Sequence, residues 1–185
     1  MLQKLSSSIA GVESPYGYFK AFARRTTESG TERLVTTAPQ GKSTVVEALL
    51  ATLEAPFLLL YILHTPRSDE AEPGRYRSPE LSAAEVLAFL HRFGTYLQAD
   101  ARFDLWFHSP QSKATLVWDR HNQVYAYGPL DAYEAALTAL GFTEGEPELR
   151  IPHVHHYRAE CDADAAAVMG AFAWRYSALR PEDEQ

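Results

Sequence analysis

The apolar run FLLLYIL at residues 57–63 constrains the fold more than any other segment. Pro56 and His64 bound it, and it is far shorter than the roughly 20 residues that a membrane helix needs. A short run that is apolar on both faces is typical of a strand covered on both sides of a sheet. The run therefore predicts a sheet with helices packed against it.

Helical segments alternate with the predicted strands. Thr44 and Glu47 form a capping-box pattern, and apolar residues then recur at helical spacing over residues 43–54. Ser82 and Glu85 form a second capping box before an apolar stripe. Two more helices are expected after Gly128 and after residue 161. The polar, proline-bearing segment 64–81 and residues 143–152 are predicted loops.

The predicted order is β-β-α-β-α-β-β-β-α-β-α, an α/β (α+β mixed) fold. We expect one mixed sheet of about six to seven strands with helices packed on it. Residues 1–185 show no composition break and are expected to form a single domain, with loosely ordered ends at 1–13 and 179–185.

Charge narrows the classes of partner. Seventeen Lys and Arg residues against 24 Asp and Glu residues give a net charge of −7. An acidic surface repels phosphate backbones and anionic lipids, so we expect neither a nucleic-acid nor a membrane partner. A protein partner or a small anionic ligand remains open, and the sequence says nothing about oligomeric state. Cys161 is the single cysteine. A single cysteine and an N-terminus unlike a signal peptide together favour a cytoplasmic location.

Two predicted strands end in the same way, with His64-Thr-Pro and His108-Ser-Pro. A loop and a helix separate them, so we expect a right-handed crossover that makes the strands parallel. Ligands bind beyond the carboxyl ends of parallel strands, which suggests His64 and His108 as an acid/base or anion-holding pair about 8 Å apart. The alternative is that each His-hydroxyl-Pro segment only terminates its strand.

The loop after His64 carries residues suited to an anionic ligand. Arg67, Arg75, Tyr76 and Arg77 are expected to emerge beside the two histidines. Arginine side chains clamp carboxylates and phosphates in bidentate geometry. These four residues are the predicted ligand-binding set.

A second candidate site lies at the predicted opposite edge of the sheet. On a strand, His153 and His155 share one face, which allows them to share a metal or hold an anion. A predicted parallel pairing with the strand at 123–127 places them near Asp119 and His121. An amphipathic edge strand and a plain turn are the competing interpretations. We expect two separate sites rather than one histidine-rich metal centre, and no cofactor.

Two functions remain open. The absence of a nucleophile elbow, a zinc-protease motif and a dinucleotide fingerprint favours a binding or regulatory protein without catalytic activity. The alternative is a small hydrolase or phosphate-handling enzyme that uses His64 and His108.

Overall fold

A computed structural model describes residues 2–67, 69, 71–147 and 152–183. Over these residues the chain is mixed α/β, with five α-helices and twelve strands. The strands are β1 (Leu5–Ile9), β2 (Val12–Pro15), β3 (Ala21–Thr26), β4 (Glu32–Thr37), β5 (Leu58–Leu63), β6 (Gly74–Arg77), β7 (Phe103–Ser109), β8 (Ala114–Trp118), β9 (Gln123–Tyr127), β10 (Thr143–Glu144), β11 (His153–His155) and β12 (Arg175–Ser177). The helices are α1 (Thr44–Leu50), α2 (Ala83–Arg92), α3 (Gly94–Ala99), α4 (Leu130–Ala139) and α5 (Asp162–Met169).

The strands form two sheets instead of the single sheet of six to seven strands that we expected. The large sheet has nine strands in the order β10-β3-β4-β9-β8-β7-β5-β6-β12. The small sheet has three, in the order β11-β1-β2. Both are antiparallel throughout except for the short parallel pair of β10 and β3. The sequence prediction missed the small sheet because polar residues dominate its strands, which leaves a weak hydrophobic pattern.

The apolar run does form an interior strand, β5, between β7 and β6. Burial alternates over its first four residues, because the α-helices cover only one face of the large sheet, but Ile62 and Leu63 are both buried. Leu59 and Tyr61 lie in the core, whereas Leu58 and Leu60 are half-buried on the other face. We call this second, helix-free face the open face. Burial along β8 and β9 alternates in the same way.

Capping and packing explain the helix bounds. At the start of α2 the Ser82 hydroxyl accepts from the Glu85 backbone N–H, and the Glu85 carboxylate accepts from the Ser82 N–H, so the predicted capping box is present. The helical pattern breaks at Phe93, where α2 gives way to α3. Val86, Phe89 and Leu90 bury the apolar stripe of α2. None of the helices in the described ranges combines the length and apolar character needed to cross a membrane.

The predicted crossover between the two His-hydroxyl-Pro strands is wrong. β5 and β7 are antiparallel neighbours, with Leu63 opposite Phe103 and Leu58 opposite His108. The 64–81 segment is not a plain loop either, since it contains β6, which pairs with β5. Because β6 and β7 are both antiparallel to β5, they run parallel to each other, and α2 and α3 connect β6 to β7 across β5 rather than β5 to β7.

The chain ends are more structured than expected. β1 and β2 lie largely within the 1–13 segment, and Leu5 is 2% exposed. In the tail, Asp183 is buried and pairs with Arg75. Of the predicted loops and tail, residues 68, 70, 148–151 and 184–185 lie outside the described ranges.

Candidate metal centre

Three histidine side chains meet between the two sheets. His153 and His155 come from β11 of the small sheet, and His121 comes from the turn between β8 and β9. One ring nitrogen from each lies within 4.8 Å of the others, and the ring centroids are 4.8 to 5.3 Å apart. We name these residues the histidine cluster. The expected neighbours are together, but through a different pairing: β11 is antiparallel to β1, not parallel to β9.

The turn that carries His121 is fixed by its own polar side chains. The Asp119 carboxylate accepts from the backbone N–H groups of His121 and Gln123, each at 2.8 Å. Asn122 adopts a left-handed φ of 60°, and its side chain is held by the Trp118 indole N–H at 3.1 Å. The turn interpretation of this segment is therefore correct, and the turn also presents the His121 ring.

The carboxylate of Asp119 also orients the His121 ring. Asp119 Oδ2 lies 3.2 Å from His121 Nδ1. Because an ionised carboxylate only accepts hydrogen bonds, His121 donates from Nδ1 and keeps its Nε2 lone pair. Metal-binding histidines usually have such a carboxylate behind them.

A buried ion-pair network fixes the chain just after β11. The Arg102 guanidinium and the Asp100 carboxylate are both fully buried and 2.8 Å apart. Asp100 also accepts from the Arg158 N–H at 2.7 Å, and Arg102 donates to Asp162 at 3.0 Å. Backbone bonds from His156 reach Lys4 at 2.8 Å. This network holds β11 in register, which sets the position of its two histidines.

His155 is a partly buried ligand candidate. Its Nε2 is shielded from solvent and makes no hydrogen bond. Burial lowers the pKa of His155 to about 4, with further lowering by His121 and His153. The ring is thus neutral at pH 7, which is the form that binds metals. A buried nitrogen without a partner is costly, and a coordinated metal would satisfy it.

The donor set selects a class of metal. Imidazole nitrogens suit zinc, copper, nickel and iron rather than magnesium or calcium. Over the described residues the cluster holds three histidines and no carboxylate or thiol. Zinc–nitrogen bonds of about 2.0–2.1 Å place tetrahedral ligands roughly 3.3 Å apart, so the rings need to close by about 1.5 Å at most. His153 is exposed, which leaves its side chain room to move.

His64 lies at the same sheet edge as the histidine cluster, so the expectation that it lies opposite is wrong. Its Nε2 is 2.8 Å from Asp104 Oδ2, and Asp104 Oδ1 accepts from the Arg120 N–H in the 119–122 turn at 2.7 Å. Burial raises the Asp104 pKa, but His64 and Arg120 outweigh it and hold the pKa below its usual range. Asp104 is therefore a charged link between His64 and the turn.

His108 lies at the other end of β7, with a hydrogen bond to Thr115 at 3.0 Å. Along the paired strands β5 and β7, His108 is offset from His64 by six residues, or roughly 20 Å. The two histidines therefore do not share a cleft. The four predicted ligand-binding residues also lie in different parts of the structure. Arg75 and Arg77 lie on the open face near His108, whereas Tyr76 points into the core beside Tyr61.

Arg67, the fourth member of that set, lies elsewhere. Its Nε is 3.3 Å from Asp162 of α5. Alternation along β6 explains why Tyr76 separates from its neighbours, since successive side chains on a strand point to opposite faces. The sequence prediction treated the segment as a loop and so had no basis for that alternation.

Sequence reasoning missed two residues near the cluster, Lys4 and Asp104. Lys4 is fully buried, donates to the Asp119 carbonyl at 3.2 Å and lies over the rings of Phe103 and Trp118. Burial lowers the Lys4 pKa to about 8, although Asp119 and Asp104 oppose that change. A charged residue inside a predicted strand, as Asp104 is, was the available signal.

Cys161 has no nucleophilic character. It is buried, and burial together with Asp100 raises the pKa of its thiol to about 11. Cys161 lies just before α5, and a helix N-terminus lowers the pKa of a thiol, but burial outweighs that effect here.

A cavity of about 530 Å³ on the open face adjoins the cluster. His121 forms part of its wall, together with Asp104, Arg120 and Trp106. Comparison of the chain with protein-family models, with curated proteins and with solved structures finds no match. The geometry of the cluster and of this cavity is therefore the basis for a proposed function.

Proposed function

We propose that this protein binds a divalent transition metal, zinc by preference, at His121, His153 and His155. The observation that carries the proposal is the meeting of three imidazole nitrogens within 4.8 Å, and one of the three rings, that of His155, has a buried Nε2 with no hydrogen bond to a described residue. Three protein ligands with a remaining open position are typical of catalytic zinc sites, whereas structural sites use four. This proposal differs from the sequence-based expectation, which was two separate sites without a histidine-rich metal centre.

We further propose that the metal serves hydrolysis of a substrate held in the adjoining cavity. Zinc lowers the pKa of a bound water to about 7, which supplies a nucleophile at neutral pH. Asp119 holds His121 in the tautomer that coordinates through Nε2, and Arg120 brings positive charge to the cavity wall. This function retains the hydrolase alternative but moves it from His64 and His108 to the cluster.

Metal titration tests the binding step. Protein stripped with EDTA is titrated with zinc and, separately, with cobalt(II), whose visible spectrum reports tetrahedral coordination. We expect one metal per chain for the wild type and none for H153A or H155A. His156→Ala is the matched control, because His156 follows His155 but lies outside the cluster.

Thermal unfolding gives an independent measure of the same step. At a free zinc concentration about 100-fold above Kd, binding adds roughly 2.7 kcal/mol of stability. For a chain of this size that corresponds to a rise in Tm of about 5–11 °C. The rise should appear in the wild type and in H156A only. Failure of the wild type to bind zinc or cobalt stoichiometrically would overturn the proposal.

Turnover tests the hydrolytic step separately. Zinc-loaded wild type and H153A are compared on p-nitrophenyl acetate and bis(p-nitrophenyl) phosphate as reporter esters. Hydrolysis that requires both the metal and His153 supports the enzyme. Stoichiometric zinc without turnover of either ester would assign the metal a structural function and remove the hydrolase from the proposal.

A further inference from the structure

A second cavity of about 510 Å³ on the open face is lined by four arginines. They are Arg75, Arg77, Arg175 and Arg180, from β6, β12 and the segment after β12. Leu58, Leu60 and the indole of Trp106 form an apolar floor, and His108 lies at the rim. We call this cavity the arginine cleft. Its size suits a small molecule.

Two of these arginines oppose each other directly. Arg77 of β6 and Arg175 of β12 are cross-strand partners in an antiparallel pair, so their side chains point to the same face. Like charges directly opposite one another destabilise a sheet. Both side chains are exposed, and no acidic residue in the described ranges pairs with either. Among the described residues, the fold thus holds two positive charges together with no acidic side chain paired to either.

The other two arginines already have acidic partners. Arg75 donates to the buried Asp183 carboxylate at 2.7 Å and lies over the Trp106 ring at 5.8 Å. Arg180 is 3.8 Å from Glu182, and both of these side chains are more than half exposed. Within the described residues, the arginines of the cleft that have no acidic partner are therefore Arg77 and Arg175.

We infer that the arginine cleft binds a phosphate monoester whose organic part is planar and apolar. A phosphate monoester carries a charge of about −1.5 to −2 at pH 7, which matches the two arginines that pair with no described acidic residue. Guanidinium groups recognise phosphate oxygens in bidentate pairs. The leucine and tryptophan floor suits a planar ring beside the phosphate. The Trp106 indole N–H is buried and makes no hydrogen bond.

The site goes beyond the proposed metal function and does not require it. Trp106 and Thr115 line both cavities, so the arginine cleft lies next to the cavity beside His121. The cleft itself contains none of the three cluster histidines. Ligand binding is therefore measured on EDTA-treated H153A protein, where the proposed metal site is removed.

The test uses phenyl phosphate as the probe, titrated calorimetrically at low and at physiological salt. We expect saturable one-to-one binding that weakens roughly 10- to 100-fold in R77Q and in R175Q, because each loses charged hydrogen bonds. Arg25→Gln is the matched control, since Arg25 lies on the same face but outside the cleft and pairs with Glu146. R25Q should bind as the parent protein does.

Two further probe ligands, benzoate and inorganic phosphate, test which part of phenyl phosphate is recognised. Benzoate should bind more weakly than phenyl phosphate, and inorganic phosphate should bind more weakly because it lacks the ring. The unfolding midpoint of R175Q without ligand should equal or exceed that of the parent, since the substitution removes a like-charge pair. Absent binding, equal loss in R25Q, or a preference for benzoate would overturn the inference. Because these measurements exclude zinc, a failed metal proposal leaves them unaffected.

Discussion

Replacing Asp119 with asparagine isolates the group that orients the metal-binding ring. Asparagine keeps an oxygen at Oδ1, so the two 2.8 Å hydrogen bonds from the backbone of His121 and Gln123 persist. The other carboxylate oxygen becomes an NH₂ group, which cannot accept from His121 Nδ1. The turn survives, and only the contact to the imidazole ring is lost.

The expected cost follows from that single contact. Removing a carboxylate behind a metal-bound histidine typically weakens metal affinity 10- to 100-fold, or about 1.4–2.7 kcal/mol. D119N also removes a negative charge near Lys4, which affects stability rather than coordination. Affinity and stability are therefore measured separately, by zinc competition with a chromophoric chelator and by urea unfolding of the metal-free protein.

NMR provides a measurement that a merely structural change would leave unaltered. Long-range proton–nitrogen spectra of metal-free protein should show His121 protonated at Nδ1 in the wild type and a mixture of tautomers in D119N. Zinc affinity within twofold of the wild type, with the His121 tautomer unchanged, would refute the assignment of Asp119 as the positioning residue.

Three further predictions concern the buried charges around the cluster. Lys4→Met should stabilise the protein at pH 7 by up to about 3 kcal/mol, because the folded-state pKa of about 8 lies below the unfolded value of 10.5. The unfolded chain binds more protons between these two values, so wild-type stability rises with pH there and the advantage of K4M should disappear by about pH 10.5 in urea titrations. Arg102→Met should cost about 3–5 kcal/mol in the same assay, since it leaves the buried Asp100 carboxylate without its guanidinium partner; a loss below 1 kcal/mol would contradict this. The Cys161 thiol, with a pKa of about 11, should react with a disulfide reagent at pH 8 far more slowly in the native protein than in urea, and equal rates would show that it is accessible.

Local patterns predicted part of the local structure, although the capping box expected at Thr44 and Glu47 is wrong, since Ser43 is the N-cap of α1 and its side chain makes no capping bond. The capping box at Ser82 and Glu85, the strand at 57–63 and the 119–122 turn all depend on residues close together in sequence. Such features follow from propensity and hydrogen bonding within a few residues. They can therefore be predicted from a single sequence.

The pairing of the strands could not be predicted from local sequence patterns. The sequence places a helix between β5 and β7, which suggests a parallel crossover, but β6 returns beside β5 before the helix and β7 pairs antiparallel on the other side of β5. Strand order depends on long-range packing that no local pattern encodes. The misplaced pairing is the reason that His64 and His108 were expected to meet.

The cluster shows the same division between local and long-range information. The H-x-H spacing of His153 and His155 was visible, as was the turn that carries His121. Their meeting depends on β1, a strand from a segment expected to be loosely ordered, which holds β11 by backbone hydrogen bonds. Polar strands of this kind leave little periodic signal.

The three proposed metal-binding histidines come from both sheets, and this affects how the protein unfolds locally. Two come from the small sheet and one from the large sheet, so a bound metal joins the two sheets by direct bonds. Backbone amides of β1, β2 and β11 should then exchange with deuterium more slowly when zinc is present, while the core of the large sheet changes little. Zinc supply would in this way set whether the two sheets unfold as one cooperative unit or as two.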